Sequence, residues 1–154
     1  MEIDDLLTPA GVVANLRAAT KRQALQELAR RAASLTGERD EHKVFEALWE
    51  REQLGSTGIG GTAVPHGRLP GLARPLAMFA RLEKPIDFEA IDGQPVDLVF
   101  LLLTPSDAGA NHLKALARLS RLLRNRAICA KLRGTDDADA IYALLTDRAA
   151  SHAA

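Results

Sequence analysis

The sequence predicts a single α/β domain in which a mixed β-sheet carries helices on both faces. Three observations predict it. Pro95-Val-Asp-Leu-Val-Phe-Leu-Leu-Leu, set off by an Asp92-Gly93 turn, is almost continuously apolar. A strand with so little polar side needs cover above and below, which helices on both sides of a sheet supply. Stretches with apolar residues at helical spacing stand before and after that strand. The 154 residues are enough for one domain that buries roughly two-thirds of its unfolded surface. The domain is expected over 1–150, with 151–154 as a disordered tail.

The elements follow in order. A first strand is expected near Val12–Leu16. Thr20 opens a helix whose stripe is Ala24, Leu25, Leu28, Ala29, Ala32 and Leu35. Thr20 and Gln23 form a capping box and Gly37 supplies the stop. A second helix is expected from Glu41 to Leu54, capped by Asp40 and ended by Gly55, with Val44, Phe45, Leu48 and Trp49 on its apolar side. Trp49 is read as a core anchor. A short strand over Thr62–Val64 and an alternating one from Leu76 to Leu82 join the Pro95–Leu103 strand in the sheet. With Asn111 as N-cap, an amphipathic helix runs from His112 to Arg124 and carries Leu113, Leu116, Leu119, Leu122 and Leu123. Two shorter helices are expected at Ala127–Arg133 and Asp137–Arg148.

Charge and composition exclude several classes. Lys plus Arg and Asp plus Glu balance at 20 each, so bulk charge argues for neither nucleic acid nor an anionic membrane as partner, and neither is expected. The basic Arg121–Arg126 run has the spacing of a solvated helix face. The single Cys129, in an apolar helical stretch, cannot form an internal disulfide and is expected free and buried. The N-terminus is acidic where a signal peptide would be basic, and no apolar run reaches membrane-spanning length. From these features the protein is expected in the cytoplasm, without membrane insertion.

The chemistry is expected at Gly55–Arg68, GSTGIGGTAVPHGR. Glycines let a backbone take positive φ and bring bare N–H groups close to a ligand. The run ends on His66, between Pro65 and Gly67. Proline fixes the approach and glycine allows a sharp exit, so the imidazole is expected on a stiff turn, as a nucleophile or proton shuttle. Gly58, Gly60 and Ala63 satisfy G-x-G-x-x-A, but a charged helix precedes them and Pro65 follows, the wrong setting for a dinucleotide. A P-loop is excluded because no lysine lies between Lys43 and Lys84. His66 and His112 could approach one another, but the residues flanking them offer no cysteine pair, i, i+4 histidine or carboxylate at ligand spacing, so no metal is expected, and no other cofactor. His42 and His152 are read as solvated. His112, in the first turn of its helix, could share a phosphate pocket with His66, Arg51 and Arg68.

LGSTGIGG-TAVPHGR, IDGQPVDLVFLLLTP and NHLKALARLSRLL, in this order, resemble the enzyme IIA domains of the bacterial phosphoenolpyruvate-dependent phosphotransferase system. Within them the chain is most similar to the nitrogen-related branch of the mannitol/fructose superfamily. The resemblance extends from Leu6 to about Asp147 and implies that superfamily's single-domain mixed α/β fold. It also implies that His66 accepts a phosphoryl group from a histidine phosphocarrier protein, with His112 as second active-site histidine and Arg51 beside them. Ser56, Thr57 and the loop N–H groups would add neutral donors to the phosphate. The family's partners dock on an apolar rim around the histidine, which here would include some of Leu54, Ile59 and Leu69. Family members usually read G-x-G-I-A-I-P-H, and this chain is one residue shorter between Gly60 and Pro65. The branch implies a regulator whose phosphorylation state controls partners such as potassium transport or sensor proteins. The alternatives are a sugar-specific component that passes phosphate to a separate permease subunit, and a binding module that is not phosphorylated.

Overall fold

A computed structural model of the protein describes residues 1–147. Arg148, the last residue of the final expected helix, and the 151–154 tail with His152 lie outside the described residues. A short 3-10 turn, Ile3–Asp5, leads into β1 (Leu7–Leu16), α1 (Lys21–Thr36) and α2 (Glu41–Gln53). Two short strands follow, β2 (Thr62–Ala63) and β3 (His66–Leu69), then the long pair β4 (Leu76–Ile86) and β5 (Val96–Pro105). Three helices complete the chain, α3 (Ala110–Arg124), α4 (Arg126–Arg133) and α5 (Ala138–Thr146).

The sheet order is β1-β4-β5-β2, with β3 also pairing β5. β4 and β5 are antiparallel, while β1 on β4 and β2 and β3 on β5 are parallel. The sheet is therefore mixed. β2 and β3 lie one after the other along the same edge of β5, against Leu98–Val99 and Leu102–Pro105 respectively.

Successive strand residues face opposite sides, and β5 has a core on each. Val99, Leu101 and Leu103 join α1 and α2 in one apolar cluster with Met78, Ala80 and Phe45. Leu98, Phe100 and Leu102 join α3, α4 and α5 in the other, where Phe79 meets Phe100 edge-on. This double burial is the physical reason for the nearly continuous apolar run. Thr20 caps α1 through the Gln23 N–H, and Gly37 ends it in the left-handed conformation at φ 77°. Asp40 caps α2 through the N–H groups of His42 and Lys43.

Several local expectations need correction. β1 begins at Leu7, before the expected Val12, because Pro9 and Gly11 sit where its pairing with β4 shifts register, and an edge strand tolerates both. β4 and β5 each run past their expected ends. The N-cap of α3 is Gly109 at φ 57° and not Asn111, so His112 is the third helical residue. Leu113 turns out of the core and is 66% exposed, and Leu35 is at the surface near the end of α1. Trp49 lies at the core margin, stacked on Phe45 and covered by the Arg22 guanidinium. Cys129 is free and buried, its Sγ donating to the Leu123 carbonyl. His42 is exposed, 3.2 Å from the Glu46 carboxylate. Among the described residues, no helix is long and apolar enough to cross a membrane.

Candidate functional site

His66 does not sit on a turn. It is the first residue of β3, opposite Leu102 of β5. Residues paired across parallel strands share a face, so His66 and Arg68 point toward the α3 side with Leu102 and Thr104. Gly67 and Leu69 point toward α1 and α2. Gly67 is needed for close approach and not for a sharp exit: a Cβ there would meet the Ala47 carbonyl oxygen at 3.1 Å. The glycine of the PHG motif thus lets α2 lie directly on β3. The same alternation buries Leu69 at 2% exposure, which removes it from the expected docking rim. Leu54 and Ile59, at 85% and 55%, remain exposed.

The strand places His66 beside His112 of α3, with ring centroids 5.5 Å apart and planes inclined at 56°. Both are buried, at 9% and 7% exposure. Nδ1 of His66 lies 2.8 Å from the Val64 carbonyl oxygen. A carbonyl only accepts, so Nδ1 carries the proton and Nε2 keeps its lone pair. On His112 it is Nδ1 that lies 2.6 Å from the buried Thr104 hydroxyl. Burial is the main cause holding the pKa of both rings below the ordinary imidazole value. For His66 the Val64 bond opposes this shift, Arg51 adds to it and Glu52 opposes it. For His112, Arg68 and His66 add to it. Both rings are therefore neutral at neutral pH.

The two histidines open onto a cleft of about 500 Å³ whose wall includes Arg51, Leu54, Arg68 and Glu50. Arg51 comes from the end of α2 and is steadied by donating to the Gly55 carbonyl at 2.8 Å. Arg68 reaches toward the Ser106 carbonyl at 3.5 Å. The cleft thus lies at one sheet edge, where the two helical layers meet, and combines a bare imidazole nitrogen with two guanidinium groups and a second imidazole.

Ser56 and Thr57 are not brought to this cleft. The Ser56 hydroxyl donates to the Phe88 carbonyl and accepts from the Gly58 N–H. The Thr57 hydroxyl and N–H both bind the Glu52 carboxylate. Three further loop N–H groups face their own chain: Gly60 donates to Asp92, and Ile59 and Thr62 exchange two backbone bonds. Gly60 and Gly61, at φ 63° and 80°, form the two-residue turn between them. That turn is how the shortened loop closes.

Sequence reasoning missed three residues here. Thr104 follows Leu98, Phe100 and Leu102 in the apolar alternation, and no spacing rule distinguishes it from a strand-filling threonine. Lys21 and Glu52 form a buried ion pair at 3.0 Å, with side-chain exposures of 6% and 0%. Lys21 also lies over the Phe88 ring. A lysine in a first helical turn and a glutamate in a charged helix end both look like solvated residues, so only the fold reveals the pair.

The family model for the phosphoenolpyruvate-dependent sugar phosphotransferase system, EIIA 2, matches residues 5–148. The chain is 58% identical to the nitrogen regulatory protein of Bradyrhizobium diazoefficiens, over 94% of this chain and 95% of that one. It is 37% identical to the nitrogen regulatory protein of Pseudomonas aeruginosa, covering 96% of each. The crystal structure of nitrogen regulatory protein IIA-Ntr from Neisseria meningitidis superposes with a TM-score of 0.87 at 34% identity, over 94% of this chain and 99% of that one. With the match running through both helical layers and the edge strand that bears His66, the chain belongs to the EIIA 2 family of the phosphotransferase system, among relatives that carry the nitrogen regulatory name.

Proposed function

We propose that the protein is a phosphoryl-accepting regulatory component of a nitrogen-related phosphotransferase system, with Nε2 of His66 as acceptor. The observation that carries this is the Nδ1–H to Val64 bond. It leaves one nitrogen of a neutral, buried imidazole with a lone pair, beside a cleft lined by two arginines.

The donor in this reading is a phosphohistidine on a carrier protein. Phosphoryl transfer passes through a loose transition state, so the protein contributes position and charge compensation. The N–P bond on the carrier breaks and its electron pair returns to the carrier's ring, while Nε2 of His66 bonds to phosphorus. Nδ1 of His66 keeps its proton, so the phosphorylated ring is cationic and its bond to Val64 becomes charge-assisted. Arg51 and Arg68 offset the phosphoryl charge, and His112 donates to a phosphoryl oxygen. Leu54 and Leu113, both exposed, offer apolar contact to a docking carrier.

The regulatory part is supported by the name of the relatives at 58% and 37% identity. In this reading the added phosphate, about −1.5 to −2 charges, changes which partner binds the cleft. Potassium transport and sensor proteins are the partner classes to test, in a cytoplasmic setting.

Incubation with a phosphorylated histidine carrier should give an acid-labile, base-stable label on the wild type and none on His66→Ala. Label persisting in that variant would place the acceptor elsewhere. Phosphate passing quantitatively to a sugar permease subunit, with no partner distinguishing the phosphorylated form, would replace regulation with sugar uptake.

A further inference from the structure

The two imidazoles are held by partners of different hydrogen-bonding character. The Val64 carbonyl can only accept. The Thr104 hydroxyl can donate or accept, and which it does decides where His112 carries its proton.

Thr104 is fully buried. It continues the Leu98, Phe100, Leu102 series on the α3 face of β5, where a valine would fill the same space without burying a hydroxyl. Nδ1 of His112 is the hydroxyl's partner, at 2.6 Å, and among the described residues it has no other. If Nδ1–H donated to Oγ1, the hydroxyl proton would be left in the core without an acceptor, which costs the desolvation of that group. If Oγ1–H donates to Nδ1, both groups are satisfied. The ring, which burial and the neighbouring Arg68 keep neutral, then carries its proton on Nε2.

We propose that Thr104 is a positioning residue: by donating to Nδ1 it holds His112 as the Nε2–H tautomer, so that the ring offers a donor and not a lone pair to the phosphoryl group on His66. The use made of that donor rests on the phosphoryl-acceptor reading of His66, while the tautomer itself does not. The two rings then stand in opposite tautomers. His66 has its proton inward on Nδ1 and a bare Nε2, and His112 has a bare Nδ1 inward and its proton on Nε2. One ring is set to bond phosphorus and the other to bind a phosphoryl oxygen. A lone pair on Nε2 of His112 would instead repel that oxygen.

The test uses the full chain labelled with ¹⁵N, in which long-range ¹H–¹⁵N correlations distinguish protonated from bare imidazole nitrogens. The expected wild-type spectrum shows protonated Nδ1 on His66 and protonated Nε2 on His112. Thr104→Val, with its fold checked by the amide spectrum, should move His112 toward mixed tautomers. It should also slow phosphoryl uptake by about tenfold to a hundredfold, less than removal of the donor itself. Thr104→Ser should restore both. Protonated Nδ1 on His112 in the wild type would overturn the proposal, whether or not the valine variant folds. So would a folded Thr104→Val that keeps the wild-type tautomer and uptake rate. A wild type that shows the two opposite tautomers yet takes no phosphate would uphold the role of Thr104 in setting the ring and sink the acceptor reading of His66.

Discussion

The glycine-rich loop and the cleft beside it are neighbours in the chain and opposite in build. In the loop, donors turn inward: Thr57 N–H to Glu52, Gly58 N–H to Ser56, Gly60 N–H to Asp92. Its end is tied down as well, since Arg133 pairs with Asp97 at 2.9 Å and reaches the Gly61 carbonyl at 3.4 Å. In the cleft, each histidine uses one nitrogen for an internal bond and, among the described residues, leaves the other without a hydrogen-bond partner. The difference teaches a division of labour. The loop is a brace bonded to its own chain, while the cleft draws its two guanidinium groups from α2 and β3 and its second imidazole from α3.

The largest effect should come from breaking the brace. Glu52→Ala removes one partner of a buried ion pair and strands Lys21, which typically costs about 3–5 kcal/mol. Urea unfolding should show that loss, and a loss under about 1 kcal/mol would mean the pair is solvated in practice. Next comes a contrast between the two regions. His112→Ala should slow phosphoryl uptake by about 10²–10³, while Ser56→Ala, which removes the bonds to the Phe88 carbonyl and from the Gly58 N–H, each worth about 1 kcal/mol of stability, should leave the rate within about twofold. If Ser56→Ala slowed uptake as much as His112→Ala, the loop would be part of the phosphate site after all.

The smallest effect is in pH. Burial holds both cleft histidines below the ordinary imidazole pKa near 6.5. The unfolded chain therefore binds protons first on acidification. The stability associated with these groups is present above pH 6.5 and falls as pH drops through 6.5 toward the folded values. Uptake measured against pH should likewise fall to half only below pH 6.5. A rate already halved at pH 6.5 would show that His66 titrates like a solvated ring.

Much of this was legible in the sequence, for reasons that differ by region. The two-sided burial of β5 is written in an apolar run broken only by Asp97, and the caps at Thr20, Asp40 and Gly37 follow local rules that the fold keeps. His66, His112, Arg51 and Arg68 are expected together from the sequence, and the structure brings all four to one cleft. β3 was not legible, because a four-residue strand beginning at a proline-flanked histidine has no period of its own and exists only through its pairing with β5. The inward turn of the loop donors was equally hidden, since glycine spacing says where N–H groups can be exposed and not whether Glu52, Ser56 or Asp92 will claim them. Thr104 and the Lys21–Glu52 pair depend on contacts between elements far apart in the chain.

The central claim is that phosphorus bonds Nε2 of His66 while Nδ1 stays protonated on the Val64 carbonyl. The direct measurement is the ¹⁵N and ³¹P spectrum of the protein after phosphorylation by a histidine carrier, with the imidazole nitrogens labelled. The expected result is a single phosphohistidine, phosphorus coupled to Nε2 of residue 66, with Nδ1 of that ring still carrying its proton. Phosphorus on Nδ1 of His66, or on His112, would contradict it.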